Sequence, residues 1–156
     1  MKAPKEIIEL LNDVLGGELV AINQYFMHAK MCANWGYKRL AAHTRKESIE
    51  EMRHAETLVD HILYLEGLPN LQKLGKLHIG ENVKEQLESD LELERVAIDR
   101  LNKGLKLCRD LSDGTSEEIL RRILITEEEH VDWIETQLDL IGKLGLELYL
   151  SQQMHD

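Results

Sequence analysis

Leu11, Leu15, Ile22 and Tyr25 stand four, seven and three residues apart, and the same rhythm returns in Leu87, Leu91, Ile98 and Leu101. That spacing lines one face of an α-helix, and only two prolines interrupt a chain rich in Leu, Ile, Glu and Lys. Pattern and breakers predict four long helices, at about 5–35, 39–66, 82–110 and 116–144. The first stops at Asn34-Trp35-Gly36, the second at Gly67 and Pro69, and Thr115 or Ser116 caps the fourth. Short breaks after the first and third helices make two antiparallel hairpins. The closing "LELYLSQQMHD", after Gly145, reads as a short fifth helix or a tail that packs on a neighbour.

The stretch "GLPNLQKLGKLHIGE" joins the second helix to the third, with leucines spaced through it as in a packed connection. Extended at about 3.3 Å per residue it covers about 50 Å, enough to run the roughly 42 Å length of the second helix. The second and third helices can then be parallel. The expected fold is all-α, a four-helix bundle with one long crossover, in a single domain over residues 1–156.

Charged residues inside the apolar stripes change this picture. Glu18 falls among Leu11, Leu15, Ile22 and Tyr25, and Glu94 among Leu87, Leu91, Ile98 and Leu101. Glu127 is flanked by Leu120, Ile123, Leu124, Val131 and Ile134, and Glu51 shares a face with Ala55, Leu58 and Ile62. Two Glu-x-x-His pairs occur, Glu51/His54 and Glu127/His130, where about one is expected by chance in this composition. Both the pairs and the lone glutamates are offset by the same interval: 127 − 51 = 76 and 94 − 18 = 76. Ile49/Ile125, Leu58/Ile134 and Cys32/Cys108 share it, so the chain reads as two copies about an approximate twofold axis. Glu9/Glu85 share it too, but Glu9 lies nine residues from Glu18, about 180° around the helix, on the opposite face.

Four carboxylates and two imidazoles therefore converge in one core. Uncompensated burial of that charge costs several kcal/mol or more, and no Lys or Arg stands in these stripes. Six oxygen and nitrogen donors around about four negative charges suit two divalent ions such as iron or manganese. The competing reading is solvated glutamates and satisfied core histidines.

With 29 acidic against 19 basic residues the net charge is −10, which repels nucleic acid and anionic lipid and favours cationic partners. No apolar run approaches a membrane span or a signal-peptide core, so a cytoplasmic protein is expected. Cys32 and Cys108 form no C-x-x-C. Under the twofold they lie at opposite ends of the bundle as reduced, buried thiols.

With "AINQYF", "ESIEEMRHAE", "LEGLPNLQ", "IGE", "EEEH" and the tail, the chain resembles the bacterioferritins, ferritin-like di-iron carboxylate proteins, along its whole length. The resemblance implies that Glu18 and His54 are terminal ligands of one iron, Glu94 and His130 of the other, and that Glu51 and Glu127 bridge them. It implies a ferroxidase that oxidises Fe(II) with dioxygen or peroxide and lays down ferric mineral inside a homo-oligomeric cage of twenty-four subunits built from dimers. It further implies two iron ions per subunit and a haem b or related porphyrin per subunit dimer for iron release. An electron-donor ferredoxin is a compatible partner, whereas nucleic acid and membrane are not. Met52, about 100° around the helix from Glu51, faces away from the core and matches the family's axial haem ligand; the plain alternative is an interface methionine filling a gap.

Other positions follow from the same reading. Tyr25 can bond a ligand carboxylate or donate an electron, or simply pack in the core; Trp133 and Trp35 are further donor candidates. Asp90 is expected to orient a ligand histidine. Gly17 departs from the polar residue that often precedes the first ligand Glu, so a matching support for the other histidine is not expected. Lys46 and Glu50 replace the histidine and acidic residue of an inner-surface iron site. A lysine offers no lone pair, which counts against that site, while Glu47 and Glu50 can attract ions or be solvated. Two other functions compete: a rubrerythrin-like peroxide reductase, disfavoured because no Cys-rich iron motif is present, and a metal-free structural bundle.

Overall fold

In the computed structural model, which describes residues 1–155, five helices follow in order: α1 Lys5–Asn34, α2 Lys38–Tyr64, α3 Val83–Asp110, α4 Gly114–Leu144 and α5 Leu146–Ser151. Asp156, the last residue of the expected domain, lies outside the described residues. Cross-helix contacts set the directions. Residues 24, 25, 28 and 32 of α1 meet 90, 94, 90 and 86 of α3, so these helices are antiparallel. On the other side of the bundle, His54 and His61 of α2 meet Glu127 and Ser116 of α4, again antiparallel. Because Ser48 of α2 donates to the Ile22 carbonyl of an antiparallel α1, α2 and α3 run parallel, as the long crossover requires.

That crossover, residues 65–82, is laid along α1. Asn12 donates to the Leu68 carbonyl and accepts from the Asn70 amide; further on, Gln24 accepts from the His78 amide and His28 Nε2 from Gly80. Polar side chains of α1 thus satisfy backbone groups that have no ladder of their own. Gly80 is required there: a Cβ would lie 2.4 Å from the Gln86 backbone nitrogen.

Element ends differ in detail from the sequence expectation. The cap of α4 is Asp113, which accepts from the Ser116 amide at 3.0 Å, and neither Thr115 nor Ser116 fills that position. Ser116 is instead buried, donating to Asp113 and meeting His61 Nε2 at 2.8 Å. Helix α2 ends at Tyr64, two residues early, because Glu66 adopts a left-handed conformation at φ 60°. The fifth helix packs within its own chain, Tyr149 being buried with its hydroxyl donating to Gln137.

The apolar core comes in two blocks. Ile7, Leu11, Leu15, Leu58, Ile62, Leu101 and Leu120 fill one end, and Leu40, Val83, Leu87, Ile134 and Tyr149 the other. Cys32 and Cys108 are free and buried, one in each block. Between the blocks lies a layer of buried carboxylates, histidines and amides. Among the described residues no helix is long and apolar enough to cross a membrane.

Candidate metal centre

Glu18 on α1, Glu51 and His54 on α2, Glu94 on α3, and Glu127 and His130 on α4 meet in that middle layer. Helical spacing does the local work: Glu and His three residues apart on α2 and on α4 project to one side, and each lone Glu replaces an apolar residue in its stripe. All four carboxylates are buried. Their ligand-type atoms form two groups, each within 4.8 Å across: Glu18, Glu51, His54, Glu127 and Glu51, Glu94, Glu127, His130. Glu51 and Glu127 belong to both.

Among the described residues, every buried side-chain polar atom without a hydrogen-bond partner belongs to these six side chains: Glu18 Oε2, Glu51 Oε1, His54 Nδ1, Glu94 Oε2, both Glu127 oxygens and His130 Nδ1. Native cores leave few such atoms, and a cluster of seven at one point could hold metal ions. His54 Nδ1 is 3.2 Å from Glu127 Oε1, and His130 Nδ1 is 3.6 Å from Glu94 Oε1 and from Glu127 Oε2. These pairs are close but misaligned for hydrogen bonds, as expected of groups directed at common points between them.

The electrostatics carry the same signature. Burial, reinforced by neighbouring carboxylates, pushes Glu51 and Glu94 well above the ordinary carboxylate range and raises Glu18. Burial acts the same way on Glu127, but the close approach of Glu94, His130, His54 and Glu51 outweighs it and holds this group low. Burial disfavours charge on His54, yet Glu127 and Glu18 raise it to about 9; Glu127 and Glu94 raise His130 to about 12. Protons offset the charge of these buried carboxylates, so any cation bound here would displace them.

The surroundings of the two histidines differ. His130 is buried, and its outer Nε2 is held by Glu50 Oε2 at 2.8 Å. His54 is half-buried and faces an open cleft of about 350 Å³ lined by Glu50, Arg53, Thr126 and Glu129. From the opposite side a cavity of about 800 Å³ beneath the crossover reaches Glu18, Glu51, Glu94 and Glu127, with Lys73, Lys76 and Arg100 at its rim. The Arg100 guanidinium lies over the glycine before Glu18, its Nη1 2.3 Å from where a Cβ at Gly17 would stand. A guanidinium, not a polar neighbour, fills that place.

Set against curated proteins, residues 8–144 match the ferritin-like domain model. The chain is 52% identical over 152 residues to the bacterioferritin of Mycobacterium bovis and to bacterioferritin BfrA of Mycobacterium tuberculosis, covering 97% of this chain and 96% of each relative. It is 52% identical over 151 residues to the bacterioferritin of Streptomyces coelicolor, covering 97% of this chain and 90% of that one. The chain belongs to the bacterioferritin family.

Within this bacterioferritin-family chain some expected contacts are displaced. Asp90 does not touch a histidine of the centre. It accepts from Gln24 at 2.8 Å and from His28 Nδ1 at 3.2 Å, tying α3 to α1 and, through His28, to Gly80 of the crossover. The contact to His130 is made by Glu50, which is partly exposed at the cleft but paired. A carboxylate four residues before His54 gave no signal along its own helix; only the packing of α2 on α4 brings it to residue 130. Tyr25 is buried, donates to Glu94 Oε1 and meets the His130 ring edge-on at 6.1 Å. Trp133 stacks on His43, whereas Trp35 meets Tyr37 at the end of α1. Met52 is 50% exposed, beside an exposed Ile49 one turn earlier, and Ile125, its repeat mate, is also outside the core. Lys46 is exposed.

Proposed function

We propose that this chain stores iron, binding two ferrous ions as substrate between the six side chains and oxidising them with dioxygen or peroxide. Glu18 and His54 would hold one ion, Glu94 and His130 the other, with Glu51 and Glu127 shared. The observation that carries this reading is that, among the described residues, the unpartnered buried side-chain polar atoms are confined to these six side chains. Two bound cations supply two electrons to the oxidant. The protein contributes a fixed oxygen and nitrogen donor set, a His130 ring held by Glu50, and buried carboxylates reached through two cavities. Tyr25, bonded to Glu94, is in position to steady that carboxylate and to give an electron. The ferric product would leave for the hollow of a cage of twenty-four such subunits, each a single ferritin-like unit.

Replacing Glu94 with alanine should abolish the fast phase of aerobic Fe(II) oxidation, followed by absorbance after rapid mixing. Undiminished rates would move the chemistry elsewhere. Size-exclusion mass near twenty-four times that of the chain, with ferric iron retained in the same peak, tests the storage half of the reading.

Met52 supports a second element of the proposal. An exposed thioether beside apolar Ile49 suits an axial contact to a haem shared with a second copy, and soft sulfur is a proper ligand for haem iron. Haem bound there would pass electrons toward stored iron. Met52→Leu should leave cage mass and iron oxidation intact while abolishing the Soret band of haem-reconstituted protein; a retained band rejects the assignment.

A further inference from the structure

One polar chain in the core serves neither group of ligand-type residues. Glu47, one turn before Glu51 on α2, is 4% exposed and offers no atom to the centre. It is hydrogen-bonded to His43 Nε2, and His43 is only half-buried, so this histidine joins the interior to solvent. The His43 ring lies flat on Trp133, centroids 3.7 Å apart and planes within 14°, which fixes its orientation. On the inner side Glu47 shares a small cavity with Asp90 of α3, and its charge is felt at Tyr25 of α1 and His130 of α4. With Thr44, His28, Gln86 and Asp90 it borders a cavity of about 10 Å³, otherwise walled by apolar side chains and at the lower limit of what one water needs.

The fold does not demand this chain. Seventy-six residues later the positions of His43 and Glu47 are occupied by Ile119 and Ile123, and that half packs without polar groups there. A buried carboxylate is costly to keep, so its presence on one side alone calls for a use.

We propose that Glu47 and His43 form a proton exit from the metal centre to solvent, with Trp133 holding the imidazole in line. The proposal rests on the ferroxidase reading, because that reaction makes the protons. Four ferrous ions, one dioxygen and six waters give four FeO(OH) and eight protons; iron loses four electrons and dioxygen gains four. Protons formed among buried carboxylates must reach solvent, and the Glu47–His43 chain is a route besides the two cavities that open on the centre. Glu47 takes a proton from water in the core, passes it to His43 Nε2, and the imidazolium releases a proton to solvent. Only O–H and N–H bonds change, and both side chains return to their starting charge.

The test uses the assembled full-length protein, mixed rapidly with Fe(II) in air, with iron oxidation read by absorbance and proton release by an indicator dye. Glu47→Gln and His43→Ala should slow proton release by about 10²-fold, with oxidation slowed alongside. Anaerobic Co(II) titration should still give two ions per chain. Added imidazole should restore His43→Ala and leave Glu47→Gln slow, a rescue that a purely structural role would not give. If His43→Ala fails to assemble, His43→Gln, which keeps a flat group against Trp133, replaces it, and imidazole should then give no rescue. Unchanged proton release in both variants, or a slow His43→Ala indifferent to imidazole, overturns the relay. A wild-type protein that consumes no oxygen with Fe(II) instead overturns the ferroxidase reading beneath it.

Discussion

The Glu18–His54 half of the centre and the Glu94–His130 half carry the same residue types at the same spacing, yet the bundle supports them unequally. Glu94 receives the Tyr25 hydroxyl, and His130 is buried and held on its outer nitrogen by Glu50. The repeat mates of Tyr25 and Glu50 are Leu101 and Thr126, so Glu18 and His54 have no matching partners. Leu101 is packed in the apolar block, and the Thr126 hydroxyl turns back to the Arg122 carbonyl. The difference teaches that a duplicated Glu/His set is not a duplicated site: the residue positions repeat, but the groups that fix their orientation come from other helices and differ between the halves.

The contrast can be broken at its supports. Glu50→Ala should weaken binding at the His130 half by about 10- to 100-fold, as loss of an orienting partner does elsewhere, while Thr126→Ala should change the His54 half by less than about twofold. Anaerobic Co(II) titration, resolving two steps, measures both. Equal losses in the two variants would mean that the halves are supported alike.

A smaller effect concerns the carboxylates that both halves share. Burial and its neighbours already disfavour charge on Glu51, so Glu51→Gln should raise the Tm of the metal-free protein by about 3–10 °C while removing the gain on adding metal. Calorimetry with and without Co(II) reads both arms, and a lowered metal-free Tm would contradict the strain ascribed to this site.

The smallest expected effect is a pH slope that separates the two histidines. His54, whose ordinary pKa is 6.5, is raised to about 9 in the fold. Its contribution to metal-free stability is therefore fully present below 6.5 and lost as pH rises through about 9. His130, raised to about 12, keeps its proton in the fold across that window while the unfolded chain loses it near 6.5, so its slope continues past pH 9, where that of His54 ends. Denaturant midpoints between pH 6 and pH 10 should fall in the metal-free protein by more than in the Co(II)-loaded one, and His54→Gln should flatten the curve, whereas an unchanged slope would assign it to other groups.

Much of this was legible along the chain. Four amphipathic helices, the long connection and the six converging residues followed from apolar stripes interrupted by Glu and His at an interval of 76 residues, because periodicity alone decides which side of a helix faces inward. Helix ends were less so. Asp113 displaced Thr115 and Ser116 as the cap of α4, and Glu66 ended α2 early by a left-handed turn that no glycine announced.

What the sequence determined by itself is the set of side chains inside the bundle and their common face, since both depend on rotation about a single helix axis. What only the tertiary structure decided is the pairing between helices: Glu50 with His130 in place of Asp90, Asp90 with His28, Arg100 over Gly17, and His43 between Glu47 and Trp133. These depend on the offset and rotation of one helix against another, which are set by the packing of the whole core and leave no mark in the spacing of any single segment.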